Sequence, residues 1–207
     1  MTQITLSTPN QLIKQLVLWL SISALAFLGG CSAITAQNPN GAYSPVNAHA
    51  QDGVERLMLK GYDVVSYFTQ NTHAMGKAEF RSQYEGITFQ FANAEHKALF
   101  DKEPTKYLPQ YGGYCADGII YGIPWGGDAD TWKLHNGKLY IFGGQESKDA
   151  FELNLHDNYN TADKMWNERL KGSNSFYQRV KHLVFRVPYY KSGDELAALV
   201  AQKKAAK

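Results

Sequence analysis

The chain has 207 residues, with 21 Lys and Arg against 19 Asp and Glu, for a formal net charge of +2. So even a balance gives no sign of nucleic-acid binding, which needs a concentrated basic face. Two cysteines, Cys31 and Cys115, are too few for a closed zinc site of four Cys.

The N-terminus is polar up to Gln15, with Lys14 as its one basic side chain. Leu16–Gly30 carries no charge and ends in Leu28-Gly29-Gly30-Cys31. A spanning helix needs roughly 20 apolar residues, whereas a signal-peptide core of roughly 7–15 fits this stretch. The small residues before the cysteine resemble the lipobox of bacterial lipoproteins. That resemblance implies a signal peptide over residues 1–30, cleaved to leave Cys31 as a diacylated first residue. Cys115 is then the one free thiol, and no intrachain disulfide can form. Ser32 follows Cys31 where the inner-membrane retention signal of such lipoproteins carries Asp. The expected address is therefore a lipid anchor facing the periplasm, in the outer membrane of a two-membrane cell. Residues 31–53, rich in Ala, Asn, Pro and Ser, read as a flexible tether.

The folded part is expected from Val54. Val54–Leu59 reads as a short helix or strand, and Val64–Phe68 as a strand of β-branched and aromatic residues. Glu79–Tyr84 and Ile87–Phe91 flank Glu85-Gly86 as a hairpin, with Ile87, Phe89 and Phe91 alternating as on a half-buried strand. Asn93 caps a helix over 94–102, and Pro104 starts another short one. Gly112-Gly113 suggests close backbone approach or positive φ. Trp132–His135 and Lys138–Phe142 flank Asn136-Gly137, the strongest short hairpin signal. Lys148–Leu155 and Tyr159–Leu170 read as helices. This order is α+β: a small domain of β-hairpins packed with short helices, over 54–171. Residues 172–207 form a C-terminal extension of amphipathic helices. Val180, Leu183, Val184 and Val187 make an apolar stripe there between Arg179, Lys181 and Arg186. This extension either packs on the domain or faces a membrane or an envelope partner.

Leu59–Leu155 resembles the YHS domain family, in its exported stand-alone members. The resemblance rests on Lys60-Gly61-Tyr62-Asp63-Val64-Val65-Ser66-Tyr67-Phe68, Tyr84-Glu85-Gly86-Ile87-Thr88-Phe89 and Glu95-His96-Lys97-Ala98-Leu99-Phe100. Its densest block is Glu103-Pro104-Thr105-Lys106-Tyr107-Leu108-Pro109-Gln110-Tyr111-Gly112-Gly113-Tyr114-Cys115. Trp132-Lys133-Leu134 and Gly137-Lys138-Leu139-Tyr140-Ile141 complete it. Relatives fused to copper-transporting ATPases carry cysteine pairs, and the resemblance implies contact with metal there. This chain has no Cys-x-x-Cys.

Candidate site residues follow from side-chain chemistry. Cys115 is a soft ligand or a thiolate nucleophile, or else a small packed side chain. His96 could pair with it as base or second ligand, though nothing in the sequence brings the two together. Met58 and Met75 are thioethers that more often pack than ligate. Asp117, with Asp128 and Asp130, could meet a hard cation. Tyr114 and Trp132 belong to an aromatic cluster with Tyr107, Tyr111, Tyr121, Trp125 and Tyr140, which lines a site or fills a core. The leading expectation is a membrane-tethered periplasmic binding or accessory module, for copper or another soft metal. A thiol-dependent enzyme using Cys115 is the alternative, and a purely structural envelope protein the third reading.

Overall fold

The computed structural model describes residues 45–187 and 189–206. The signal peptide over 1–30, Cys31 and the tether up to residue 44 lie outside the described residues. Among those described, no helix is long and apolar enough to cross a membrane.

Four strands form the first sheet: β1 (Ala48–Gln51), β2 (Val54–Met58), β3 (Lys77–Tyr84) and β4 (Ile87–Phe91), in the order β1-β2-β4-β3. The outer pairs are antiparallel and β2 runs parallel to β4. A second sheet pairs β5 (Asp128–His135) with β6 (Lys138–Phe142). Helix α1 (Ser66–Thr69) lies between β2 and β3, and α2 (Ala94–Lys102), α3 (Pro104–Tyr107) and α4 (Ala116–Ile120) lie between the two sheets in sequence. After β6 come α5 (Gln145–Glu152), α6 (Leu155–Met165), α7 (Ser175–Phe185) and α8 (Gly193–Ala205). The protein is α+β, two small hairpin-built sheets with packed helices and a helical C-terminus.

Each hairpin is made by a two-residue turn with both φ values positive, the backbone that matches strand twist. Glu85-Gly86 has φ 52° and 72°, and Asn136-Gly137 has φ 50° and 70°. A third such turn, Asp52-Gly53 at φ 50° and 74°, joins β1 to β2. The folded chain therefore begins before Val54. Pro45, Val46 and Asn47 are buried, and Ala48 pairs with Met58. Residues 45–53 are thus strand and turn where composition suggested tether, because Asp-Gly closes a hairpin whatever the polarity of its arms.

Val64–Phe68 is also not a strand. Asp63 turns the chain: its Oδ1 accepts from the Val65 N–H at 2.8 Å, and the Ser66 hydroxyl donates to its carbonyl at 2.7 Å. This side-chain competition for backbone groups starts the single turn α1 instead. β4 is buried along its whole length, not on one face, since it lies between β2 and β3 and Gly61 and Gly76 press onto Gln90. The Asn93 cap is as expected, its Oδ1 accepting from the His96 N–H at 2.8 Å. The helix after Tyr159 ends in a π turn, Trp166–Leu170.

Two apolar clusters divide the core. One gathers Met58, Val64, Tyr67, Phe89, Phe91, Phe100 and Ile141 around the first sheet. The other gathers Tyr111, Tyr114, Ile119, Phe142, Phe151 and Tyr159 beneath α4 and α6. α8 docks separately, with Leu196 and Val200 against Ala150 and Leu153. Its start is fixed by a capping box between Ser192 and Glu195.

Candidate functional site

Gly112 and Gly113 have φ 62° and 78°, conformations that side chains rarely adopt. At Gly112 a Cβ would stand 2.2 Å from the Pro45 carbonyl oxygen, so the close approach is to the first described segment. The two residues turn the chain into Tyr114 and Cys115, at the start of α4. Tyr114 is buried, and its hydroxyl donates to the Val46 carbonyl at 2.9 Å. It fastens the N-terminal segment.

Cys115 is 4% exposed. Its N–H donates to the Trp125 carbonyl at 3.0 Å, its carbonyl accepts from Ile119, and it bridges to Ile141 of β6. Its Sγ donates to the Ser147 hydroxyl at 3.7 Å. Burial pushes the thiol pKa up, and the nearby Asp117 carboxyl adds to the rise. This is the opposite of the cationic setting that activates a cysteine.

Asp117, in the first turn of α4, is also 4% exposed. Burial alone pushes its carboxyl up to about 7. Among the described residues no hydrogen bond or ion pair reaches that carboxyl group. It borders a recess of about 200 Å³ together with Cys115, Tyr121, Trp125, Tyr190 and Lys191. The Trp125 indole N–H is buried without a partner as well. Asp117 and Trp125 therefore border one small recess, and the buried, unpaired indole N–H costs on the order of 1–3 kcal/mol while it stays unsatisfied.

The far wall of the recess comes from the C-terminal extension. The Tyr121 ring meets Tyr190 edge-on at 5.4 Å, Tyr190 meets His182 at 4.5 Å, and His182 faces the Trp125 ring at 5.9 Å. Lys191 and Leu196 close the edge. Burial and the neighbouring Asp117 and Tyr190 raise the Tyr121 phenol. Tyr121 and Trp125 stand in the sequence as part of a general aromatic cluster. Tyr190 and Lys191 carry no motif and become visible only when the extension folds back.

The remaining candidates are structural. His96 Nδ1 meets Asp63 Oδ2 at 2.6 Å, both side chains almost fully buried, and its Nε2 lies 3.2 Å from the Thr69 hydroxyl. Asp63 Oδ2 also accepts from the Ala92 N–H at 2.9 Å. The pair clamps α2 to the turn before α1. The hydrogen-bond partners of His96 and of Cys115 share no residue, so the structure does not assemble a Cys–His pair. Trp132 packs edge-on against Tyr67 at 5.1 Å in the first core. Met58 is fully buried and Met75 is 54% exposed. Among the described residues no group of three or more His, Cys, Asp or Glu could hold a metal ion, Asp128 and Asp130 included. Compared with known proteins, the chain matches no family model, no curated protein and no solved structure.

Proposed function

We propose that this chain is a lipid-tethered, extracytoplasmic binding module, and that its ligand seats in the recess between α4 and the Tyr190–Leu196 segment. The observation behind this reading is the Asp117 carboxyl, buried, without a hydrogen bond, and poised at about 7 beside an unpaired Trp125 N–H. A ligand with a cationic or N–H donor group for Asp117 and an acceptor for Trp125 satisfies both. The recess of about 200 Å³ shares Asp117, Tyr121, Lys191 and Leu196 with another of about 420 Å³, so the ligand is an amine or amide whose size the volume alone does not limit. The aromatic rings around it suit a cation.

The soft-metal form of the reading and the thiol-enzyme alternative both require Cys115 as thiolate. Burial and Asp117 work against that ionisation. The geometry thus favours Asp117 over Cys115 as the recognising group. The anchor of this reading is Cys31, diacylated and facing the periplasm, with Ser32 directing the protein onward to an outer membrane where the cell has one. Labelled palmitate entering the wild type and not Cys31→Ala tests that part.

A thermal-shift screen of small amines and amides, with Cu(I) alongside, tests the recess. A ligand at 100 times its Kd should stabilise by about 2.7 kcal/mol, or roughly 5–10 °C in Tm for a domain of this size. The shift should vanish in Asp117→Asn and persist in Cys115→Ser. A Cu(I) shift lost in Cys115→Ser, with every amine silent, would replace this reading with the metal one.

A further inference from the structure

α7 turns its apolar face outward. Phe176, Tyr177, Val180, Leu183 and Val184 share one side of the helix by their i, i+1, i+4, i+7, i+8 spacing. They are 47%, 62%, 37%, 73% and 67% exposed, and Phe185 beside them is 76% exposed. The opposite side buries Ser175 and His182. A surface helix of a globular domain does the reverse, and contiguous exposed apolar side chains mark an interaction surface.

Two observations bear on what covers this face. The first is charge. From Lys171 to Lys191 the chain carries Lys171, Arg179, Lys181, Arg186 and Lys191, and no Asp or Glu. Lys181 and Arg186 are exposed beside the stripe. An apolar stripe edged by cations fits an anionic phospholipid surface. A second copy of the chain would bring the same cations face to face.

The second observation is position. The Tyr114 hydroxyl that holds Val46 is also in hydrogen-bonding contact with the Ser175 side chain, in the first turn of α7. The Arg179 guanidinium, hydrogen-bonded back to Ser175, lies close enough to help lower the His49 pKa. The described chain therefore starts beside the base of α7. Cys31 lies 14 residues before Pro45 (45 − 31), so the intervening chain reaches about 50 Å at most.

We propose that α7 lies on the anionic phospholipid surface in which Cys31 is anchored, with Val180, Leu183, Val184 and Phe185 among the lipid headgroups and acyl chains, and Lys181 and Arg186 on the phosphates. The proposal rests on the lipid-anchor reading of Cys31. Vesicle binding without any acyl chain tests it separately from that reading. The chain from Ser32 keeps the whole of the Asn38–Lys207 unit and carries no lipid. It should sediment with vesicles of phosphatidylethanolamine and phosphatidylglycerol, and far less with phosphatidylcholine alone. Lys181→Ala and Arg186→Ala should each weaken binding about five-fold, and high salt should weaken it further. The double variant Leu183→Asp/Val184→Asp should lose more than about ten-fold, with an unchanged near-ultraviolet circular dichroism spectrum because both positions are exposed. Absence of binding by the parent chain, or equal binding by the double variant, overturns the proposal. So does a dimer, seen by light scattering, that the double variant abolishes, since α7 is then a protein interface. Vesicle binding intact with no palmitate on the wild type would refute the anchor and leave α7 docking standing.

Discussion

Between pH 4 and pH 7 an unfolded chain ionises Asp117 near its usual 3.8, while the folded chain, its carboxyl pushed up to about 7, keeps the proton. The native state binds the extra proton in that window, so stability falls as pH rises through it and levels off above about 7. The loss is on the order of 4 kcal/mol. Urea unfolding at pH 5 and pH 8 should show about 3 kcal/mol of it, and Asp117→Asn should flatten the difference. An equal slope in the variant would mean that Asp117 is not the group responsible. Cys115 should behave as a sheltered thiol. Native protein at pH 8 should react with iodoacetamide far more slowly than a free cysteine, and denatured protein at the ordinary rate. A fast native reaction would revive the thiol-enzyme reading. Asp63 and His96 should matter for stability rather than for binding. Asp63→Ala leaves His96 and two backbone N–H groups without their acceptor, at a cost of about 3 kcal/mol in urea unfolding. The same variant should leave any ligand-induced thermal shift in place, if it still folds. Asp63 stood in the sequence only within the Lys60–Phe68 block that carries the family resemblance. Its hold on His96, 33 positions away, has no local signature.

At the scale of elements, local chemistry that dictates a backbone shape was legible. Glu85-Gly86 and Asn136-Gly137 make the turns expected of them, and Asn93 and Pro104 start the helices they mark. Asp52-Gly53 carries the same turn signal and was hidden by the polar, Ala-rich arm before it. Val64–Phe68 misled in the other direction, because β-propensity measures fit to a half-buried sheet and Asp63 diverts the chain before any sheet is reached. Gly112 shows how tightly the β1 arm is held. A methyl group there meets the Pro45 carbonyl at 2.2 Å, in a backbone that already disfavours a side chain. Gly112→Ala should cost more than about 2 kcal/mol and expose the 45–53 segment to limited proteolysis. A variant as stable and as protease-resistant as the wild type would count against that packing. At the other end, Ser192→Ala removes half the capping box of α8 and should cost about 1 kcal/mol, with Tyr190 and Lys191 loosened at the recess.

In the whole molecule the recess is assembled from parts far apart in the chain. Asp117 and Trp125 come from the segment between the two sheets, and Tyr190, Lys191 and Leu196 come from the extension some seventy residues later. Asp117 was singled out in the sequence for its oxygen chemistry. Its missing partners were not readable, because a burial without compensation is a property of the packed chain and not of any window of residues. The extension likewise divided in a way that periodicity could not foresee. α8 packs its Leu196 and Val200 inward, while α7, with the more evident apolar stripe, turns that stripe out.

The double origin of the recess has a thermodynamic consequence. A ligand held by Asp117 on one side and by Tyr190 and Lys191 on the other binds fully only when the extension is seated. By linkage, the factor by which seating strengthens the ligand is the factor by which the ligand strengthens seating. Since α7 belongs to the same extension, its proposed docking on a membrane would change the affinity of the proposed ligand site, and ligand binding would change the docking by the same factor.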